Sequence, residues 1–253
     1  MKIAVISTDN NDDYLFYLPV VAEGWFKLGY DVHVMHPIGV TSNPKYKIIS
    51  DFISHLKSEH NRLFIIKEYG FTNTDPITTV QSSRLFAAYY YDSETLITSD
   101  ADMLVKKDIF TSDGISVYGH DITNYEQIPM CYVSMNAYMW RAVIGIDRRY
   151  SIESNMERII TSEPLYHEEN KWCTDQEILT KSILKHKSHN SIKRGIEPGS
   201  FLPLGRLDRY GWKQPAGDII DVHLPKTPEL NYNKIAPLCG EWIYDYFNKY
   251  YKK

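Results

Sequence analysis

Alternation in the first hundred residues constrains this chain most. Four short apolar runs sit at Lys2–Ser7, at Asp31–Pro37 ("DVHVMHP"), at Arg62–Lys67 ("RLFIIK") and at Leu96–Thr98. Each has the β-branched, buried character of a strand. Between them, apolar residues recur at helical spacing over Tyr14–Leu28, Lys45–Ser58 and Ile77–Tyr90, and Gly29 supplies a helix stop. The order β-α-β-α-β-α-β predicts an α/β fold, with a mostly parallel central sheet flanked by helices. Such sheets bind ligands outside the carboxyl ends of their strands. The loops that matter are therefore Ser7–Asp13, His36–Gly39, Tyr69–Asp75 and Ser99–Asp102.

The second half is less regular. "GISVYGH" and "MCYVSMNAYMW" read as strands, the latter running into a helical turn, and Ser151–Thr161 and Thr174–Lys187 read as helices. "RGIEPGSFLPLGRLDRYGWKQPAGD" is rich in Gly and Pro and predicts a long ordered loop. "DIIDVHLP" predicts a last strand, and a terminal helix follows Gly240. No repeat or linker interrupts the 253 residues, so a single domain over 1–253 is expected.

A net charge of -4 gives no basic surface for nucleic acid. Cys131, Cys173 and Cys239 match neither a disulfide framework nor a zinc spacing, which favours free thiols in a reducing compartment. "MKIAVIST" enters a strand directly, and no run approaches the roughly 18 apolar residues of a membrane span. A cytoplasmic protein without a transmembrane segment is expected.

The chemistry concentrates in "TLITSDADMLV", where a buried strand ends in Asp100 and Asp102, separated by Ala101. In a bend, both carboxylates can turn into one small volume. They repel there unless a cation lies between them, and hard oxygen ligands suit Mg²⁺ or Mn²⁺. The bland alternative is a solvated acidic turn. A phosphohydrolase also places D-x-D after an apolar strand, but usually on the first strand, with Thr or Val two residues past the second acid. Here Met103 and Leu104 follow, on the fourth strand. The first turn, "STDNNDD", lacks the glycines of a dinucleotide-binding loop. Its small polar residues Ser7, Thr8 and Asp9 can still hold a base or ribose.

"SSRLFAAYYYDSETLITSDADMLVKKDIF", from Ser82 to Phe110, resembles the core of GT-A-fold, nucleotide-sugar-dependent glycosyltransferases, especially family 8-like enzymes. "CTDQEILTKSIL" resembles their "DQ" helix, and "DVHLPK" their late strand ending in a metal-binding His. The resemblance implies a Rossmann-like domain, with a nucleotide-sugar half at 1–110 and an acceptor half at 111–253. It implies transfer of a sugar from a UDP-sugar, with a GDP-sugar as second choice, to a hydroxyl acceptor such as a growing glycan. Asp100, Asp102 and His223 would hold Mn²⁺ or Mg²⁺ against the diphosphate. Arg84, Ala101, Gln176 and Lys226 would bind the donor, and Asp9 and Asp75 could accept the ring N–H of uracil. Asp175 would be the general base, with His167, Glu168 and Glu169 as alternatives.

Each residue also has a plainer reading. Arg84 could form a surface ion pair, His223 could be a half-buried strand-end histidine, and Lys226 could be solvated. Asp175 could serve only the dipole of a helix capped by Thr174. The chain departs from retaining family 8 enzymes at "SMNAYMW", which lacks their Asn-x-Gly, and at "HLPKTP", which lacks their later Gly and Pro-Trp. Stereochemistry therefore stays open. A non-catalytic nucleotide- or glycan-binding module is the alternative from another class. In the last helix, Trp242, Ile243, Tyr246 and Phe247 form a stripe expected on the sheet, or in weak contact with a membrane surface.

Overall fold

A computed structural model describes residues 1–110, 114–119, 128–163, 171–186, 190–193, 204–215 and 217–251. At its centre is β1 (Lys2–Ser7), buried from Ile3 onward. It pairs in parallel with β2 (Asp31–Pro37) on one side and β4 (Thr95–Ser99) on the other. Outside β2 lies β3 (Phe64–Tyr69), also parallel. Beyond β4 come β7 (Val133–Asn136), β6 (Ser116–Gly119) and β8 (Asn190–Lys193), giving the order β3-β2-β1-β4-β7-β6-β8. Within this sheet, among the described residues, the β4–β7 and β7–β6 pairings are antiparallel and the rest parallel. The chain runs outward from β1 through β2 and β3, then returns to β4 on its other side. The exits of β1 and β4 therefore form a topological switch point, where such sheets open a crevice.

Side chains alternate across the sheet. Ala4, Ile6, Val32 and Val34 join the core under α1 (Asp12–Lys27) and α2 (Pro44–His60). Ile3, Val5, Met35 and Leu96 face the opposite core. That core is covered by α3 (Pro76–Ser83) with the 3₁₀ turns Arg84–Tyr90, α4 (Ala137–Ile144), α5 (Ile152–Thr161) and α6 (Thr174–Lys185).

A second sheet holds β5 (Met103–Val105), β10 (Asp221–His223) and β9 (Arg206–Leu207), in the order β5-β10-β9. Arg206 grips buried Asp221 through two bonds, Nε to Oδ1 at 3.0 Å and Nη2 to Oδ2 at 2.9 Å. α1 crosses β5 at Gly24, where a Cβ would lie 2.6 Å from Leu104 Cδ1 and 2.9 Å from the Val105 carbonyl oxygen. Glycine is required there by close approach. β9 also interrupts the stretch expected to be one long loop, of which residues 194–203 lie outside the described residues.

The short α7 (Tyr232–Ile235) leads towards α8 (Trp242–Tyr251). The apolar stripe expected on the sheet packs instead on α1 and α2. Tyr246 stacks on Phe16 with ring centres 5.0 Å apart and meets Phe52 edge-on at 5.0 Å. The Tyr246 hydroxyl donates to the Phe16 carbonyl, and the Tyr250 hydroxyl to that of Asp12. This packing occupies the face that membrane contact would use. Among the described residues, no helix is long and apolar enough to cross a membrane.

His33 gives the fold a pH signature. It is fully buried in β2 beside Tyr90 and Tyr91, and neither ring nitrogen has a hydrogen-bond partner among the described residues. Burial, reinforced by Lys67, lowers its pKa from 6.5 to about 3. The unfolded chain then takes up a proton below pH 6.5 that the native state refuses. Stability falls as pH drops through the window from 6.5 towards 3, by about 1.4 kcal/mol per unit for this one group. His33→Phe should flatten the acid limb of urea-unfolding free energy between pH 6.5 and 5. An unchanged slope would assign that limb to other groups.

Candidate active site

The acidic pair sits on the link between the two sheets. β4 ends at Ser99, the Met103 N–H closes a turn on the Asp100 carbonyl at 3.3 Å, and β5 departs to pair with β10. The turn, rather than a continuing strand, lets Asp100 and Asp102 enter one space. Met103 pairs with His223, and the Leu224 N–H donates to the Asp102 carbonyl at 2.8 Å, so the end of β10 is held beside the turn.

The exits of β1 and β4, the start of α6 and the end of β10 enclose a cleft of about 500 Å³. Such a volume suits a small-molecule ligand. His36 supports the β1 side. Its Nδ1–H donates to the Thr8 carbonyl at 3.1 Å, and its Nε2 accepts from the Tyr46 hydroxyl at 2.9 Å. The Asp9 carboxylate accepts from the Asn11 N–H, setting the turn into α1.

Arg84, 8% exposed, joins two acids that lie far apart in sequence. Its Nη1 donates to Asp100 and to the Ser99 carbonyl, and its Nη2 donates to Asp175 at 2.9 Å. It is therefore a buried bridge and not a surface ion pair. Burial alone would raise the Asp100 pKa, but Arg84 and the Cys131 thiol, which donates to Oδ2 at 2.9 Å, hold it below its ordinary value. Asp175 is shifted upward by burial, although Arg84 opposes this. Its Oδ1 accepts from the Gln176 N–H at 2.8 Å. The residue before the helix is Cys173 rather than Thr174, whose hydroxyl donates back to the Lys171 carbonyl.

Asp102 is raised by burial and by the charge of Asp100. Beside it lies Arg209, whose Nη2 donates to Asp102 Oδ2 at 2.5 Å and also contacts His223 Nε2. The Asp208 carboxylate lies 3.0 Å from His223 Nδ1. Asp208 thereby fixes the proton on Nδ1 and leaves Nε2 as a bare lone pair, the usual support of a metal-binding histidine. His223 Nε2 and Asp102 Oδ2 are 3.9 Å apart. Among the described residues, no three His, Cys, Asp or Glu side chains are disposed to hold an ion as they stand. The donor types and the second carboxylate nevertheless suit Mn²⁺ or Mg²⁺. Arg209 takes the position between two of the donors.

Of the residues singled out from sequence, Ser7, Thr8, Asp9, Arg84, Asp100, Ala101, Asp102, Asp175, Gln176, His223 and Lys226 all line this cleft. Asp75 does not. It accepts the Thr78 N–H at 2.9 Å and caps α3, which begins at Pro76. His167, Glu168 and Glu169 lie outside the described residues. Arg209, Tyr14 and Tyr210 line the cleft and were missed. Tyr210 is 82% exposed at the site, as an aromatic platform for a base or sugar would be.

No protein-family profile matches the chain, and no curated protein matches it by sequence. Solved structures do. An active-site mutant of LgtC superimposes with a TM-score of 0.57 at 14% identity, covering 96% of this chain and 99% of that one. Galactosyltransferase LgtC in complex with donor and acceptor sugar analogs gives 0.54 at 14% identity, with the same coverage. Glycosyltransferase GlyE of Streptococcus pneumoniae gives 0.55 at 10% identity, covering 98% of this chain and 63% of that one. The chain has the GT-A fold of these glycosyltransferases.

Proposed function

We propose that the protein is a metal-dependent glycosyltransferase that moves a sugar from a UDP-sugar, with a GDP-sugar as second choice, to a hydroxyl acceptor such as a growing glycan. One observation carries this reading. The paired acids, a carboxylate-supported histidine, a buried candidate base and the polar exit of β1 meet in one cleft at the switch point of the sheet. The fold shared with LgtC and GlyE supports it.

In this reading Ser7, Thr8 and Asp9 hold the nucleoside, and exposed Lys226 meets the phosphates at the rim. Asp100, Asp102 and His223 would hold Mn²⁺ or Mg²⁺, which when bound supplies positive charge against the leaving diphosphate. The nucleotide half is 1–110, and the acceptor enters from the 111–253 half. Asp175 takes the proton of the acceptor hydroxyl, and its upward-shifted pKa is the direction a base requires. Arg84 holds that carboxylate in place from the donor side. The reading is tested by which bond of a nucleotide sugar breaks. Transfer cleaves the bond from the anomeric carbon to the phosphate oxygen and frees an intact nucleoside diphosphate. A phosphohydrolase cleaves a phosphorus–oxygen bond, and a binding module cleaves nothing.

A further inference from the structure

The side chain between Asp102 and His223 is a cation that belongs to the protein. Arg209 is 9% exposed and Asp102 7% exposed, so their ion pair is shielded from water. Guanidinium Nη2 engages both the carboxylate oxygen and the histidine lone pair, the two atoms that would bind a divalent ion. A metal and Nη2 cannot share that position. The Nε of Arg209 is buried with no partner among the described residues. The resting position therefore leaves a charged donor unsatisfied, and an anion acceptor would satisfy it.

Resting on the glycosyltransferase reading, we propose that Arg209 is the place-holder cation of this site. It competes with the divalent ion for Asp102 and His223, and when displaced it donates to the diphosphate of the donor. Charge explains the exchange. With neither cation, Asp102 would face Asp100 uncompensated; with both, two positive charges would crowd one carboxylate. The incoming diphosphate resolves this by accepting the guanidinium and leaving the two donor atoms to the ion. A competitor that occupies the binding-competent state lowers apparent affinity by the fraction it occupies. Metal and nucleoside diphosphate should therefore each strengthen the binding of the other, as linkage requires.

The test uses the full chain and two probes, Mn²⁺ followed by the paramagnetic resonance of the free ion and UDP followed by calorimetry. Arg209→Gln should bind Mn²⁺ alone about 10-fold or more tightly than wild type, because its competitor is gone. It should bind UDP in saturating Mn²⁺ about 10-fold or more weakly, the loss expected for one charge-assisted contact. Arg209→Lys, which keeps the charge but not the fork, should lie between and serves if the Gln variant folds poorly. Asp102→Asn should abolish the gain in Mn²⁺ affinity, placing the ion at this carboxylate. Unchanged or weaker Mn²⁺ binding in Arg209→Gln would overturn the competition. A metal gain with UDP affinity unchanged would overturn the phosphate role. If no nucleoside diphosphate bound either protein while the metal gain appeared, the competition would stand and the glycosyltransferase reading would fall.

Discussion

Asp175→Asn is expected to leave nucleotide-sugar affinity near wild type and to cut sugar transfer by about 10²–10⁴-fold, the usual contribution of a positioned base. The separation follows from geometry. Asp175 opens α6, and its Oδ1 accepts the Gln176 N–H, a bond that the amide oxygen of asparagine can keep. The expected ion site is carried by other residues, at the exits of β4 and β10. Wild-type transfer rate should also fall as pH drops through the raised Asp175 pKa, and the asparagine variant should lose that limb. Full transfer with a lowered melting temperature would instead make Asp175 scaffold for Arg84. Measuring calorimetric affinity and initial transfer rate on the same preparation separates the two.

Arg84→Met should cost about 3–5 kcal/mol of stability, as expected when one partner of a buried ion pair is removed. For a chain of this size that is roughly 6–20 °C in melting temperature. The guanidinium is 8% exposed and compensates Asp100 and Asp175 together. Without it, buried Asp175 and partly exposed Asp100 lose their shared counter-charge, which favours protonation of one of them. Adding Asp175→Asn to Arg84→Met removes one of those charges and should recover part of the loss. The recovery, read as a coupling energy in a double-mutant cycle, reports the bridge directly. A melting temperature within a degree or two of wild type would return Arg84 to the plainer reading of a dispensable ion pair.

How much of this was legible in the sequence depends on range. The strands β1 to β4 and the helices between them carry local periodicity, and their pattern pointed to the sheet edge where the cleft lies. D-x-D was legible because a hydrophobic run that ends in acids is itself a local signal. The second sheet was only partly legible. β5 and β9 span three and two residues, too short for alternation to register, and are held by partners more than a hundred and more than a dozen residues away. Arg209 was missed for the same reason: 107 positions separate it from Asp102, within a stretch that reads only as loop. Arg84 was found, but its partner Asp175 lies 91 positions on, so pattern alone could not distinguish a bridge from a donor ligand. The α8 stripe was seen, yet periodicity cannot say whether an apolar face meets a sheet or, as here, the aromatic rings of α1 and α2.

Phosphorus resonance of a UDP-hexose incubated with the protein and diamagnetic Mg²⁺ tests the central claim most directly, with water or a panel of free sugars as acceptor. The paired resonances of the nucleotide sugar should give way to those of free UDP alone, in an amount equal to the sugar released or transferred. The conversion should be lost in Asp175→Asn. Appearance of UMP with a sugar phosphate, or of inorganic phosphate, would contradict the assignment by showing that a phosphorus–oxygen bond had broken. Binding of the donor with no conversion under any acceptor would leave a nucleotide-sugar-binding module in place of a transferase.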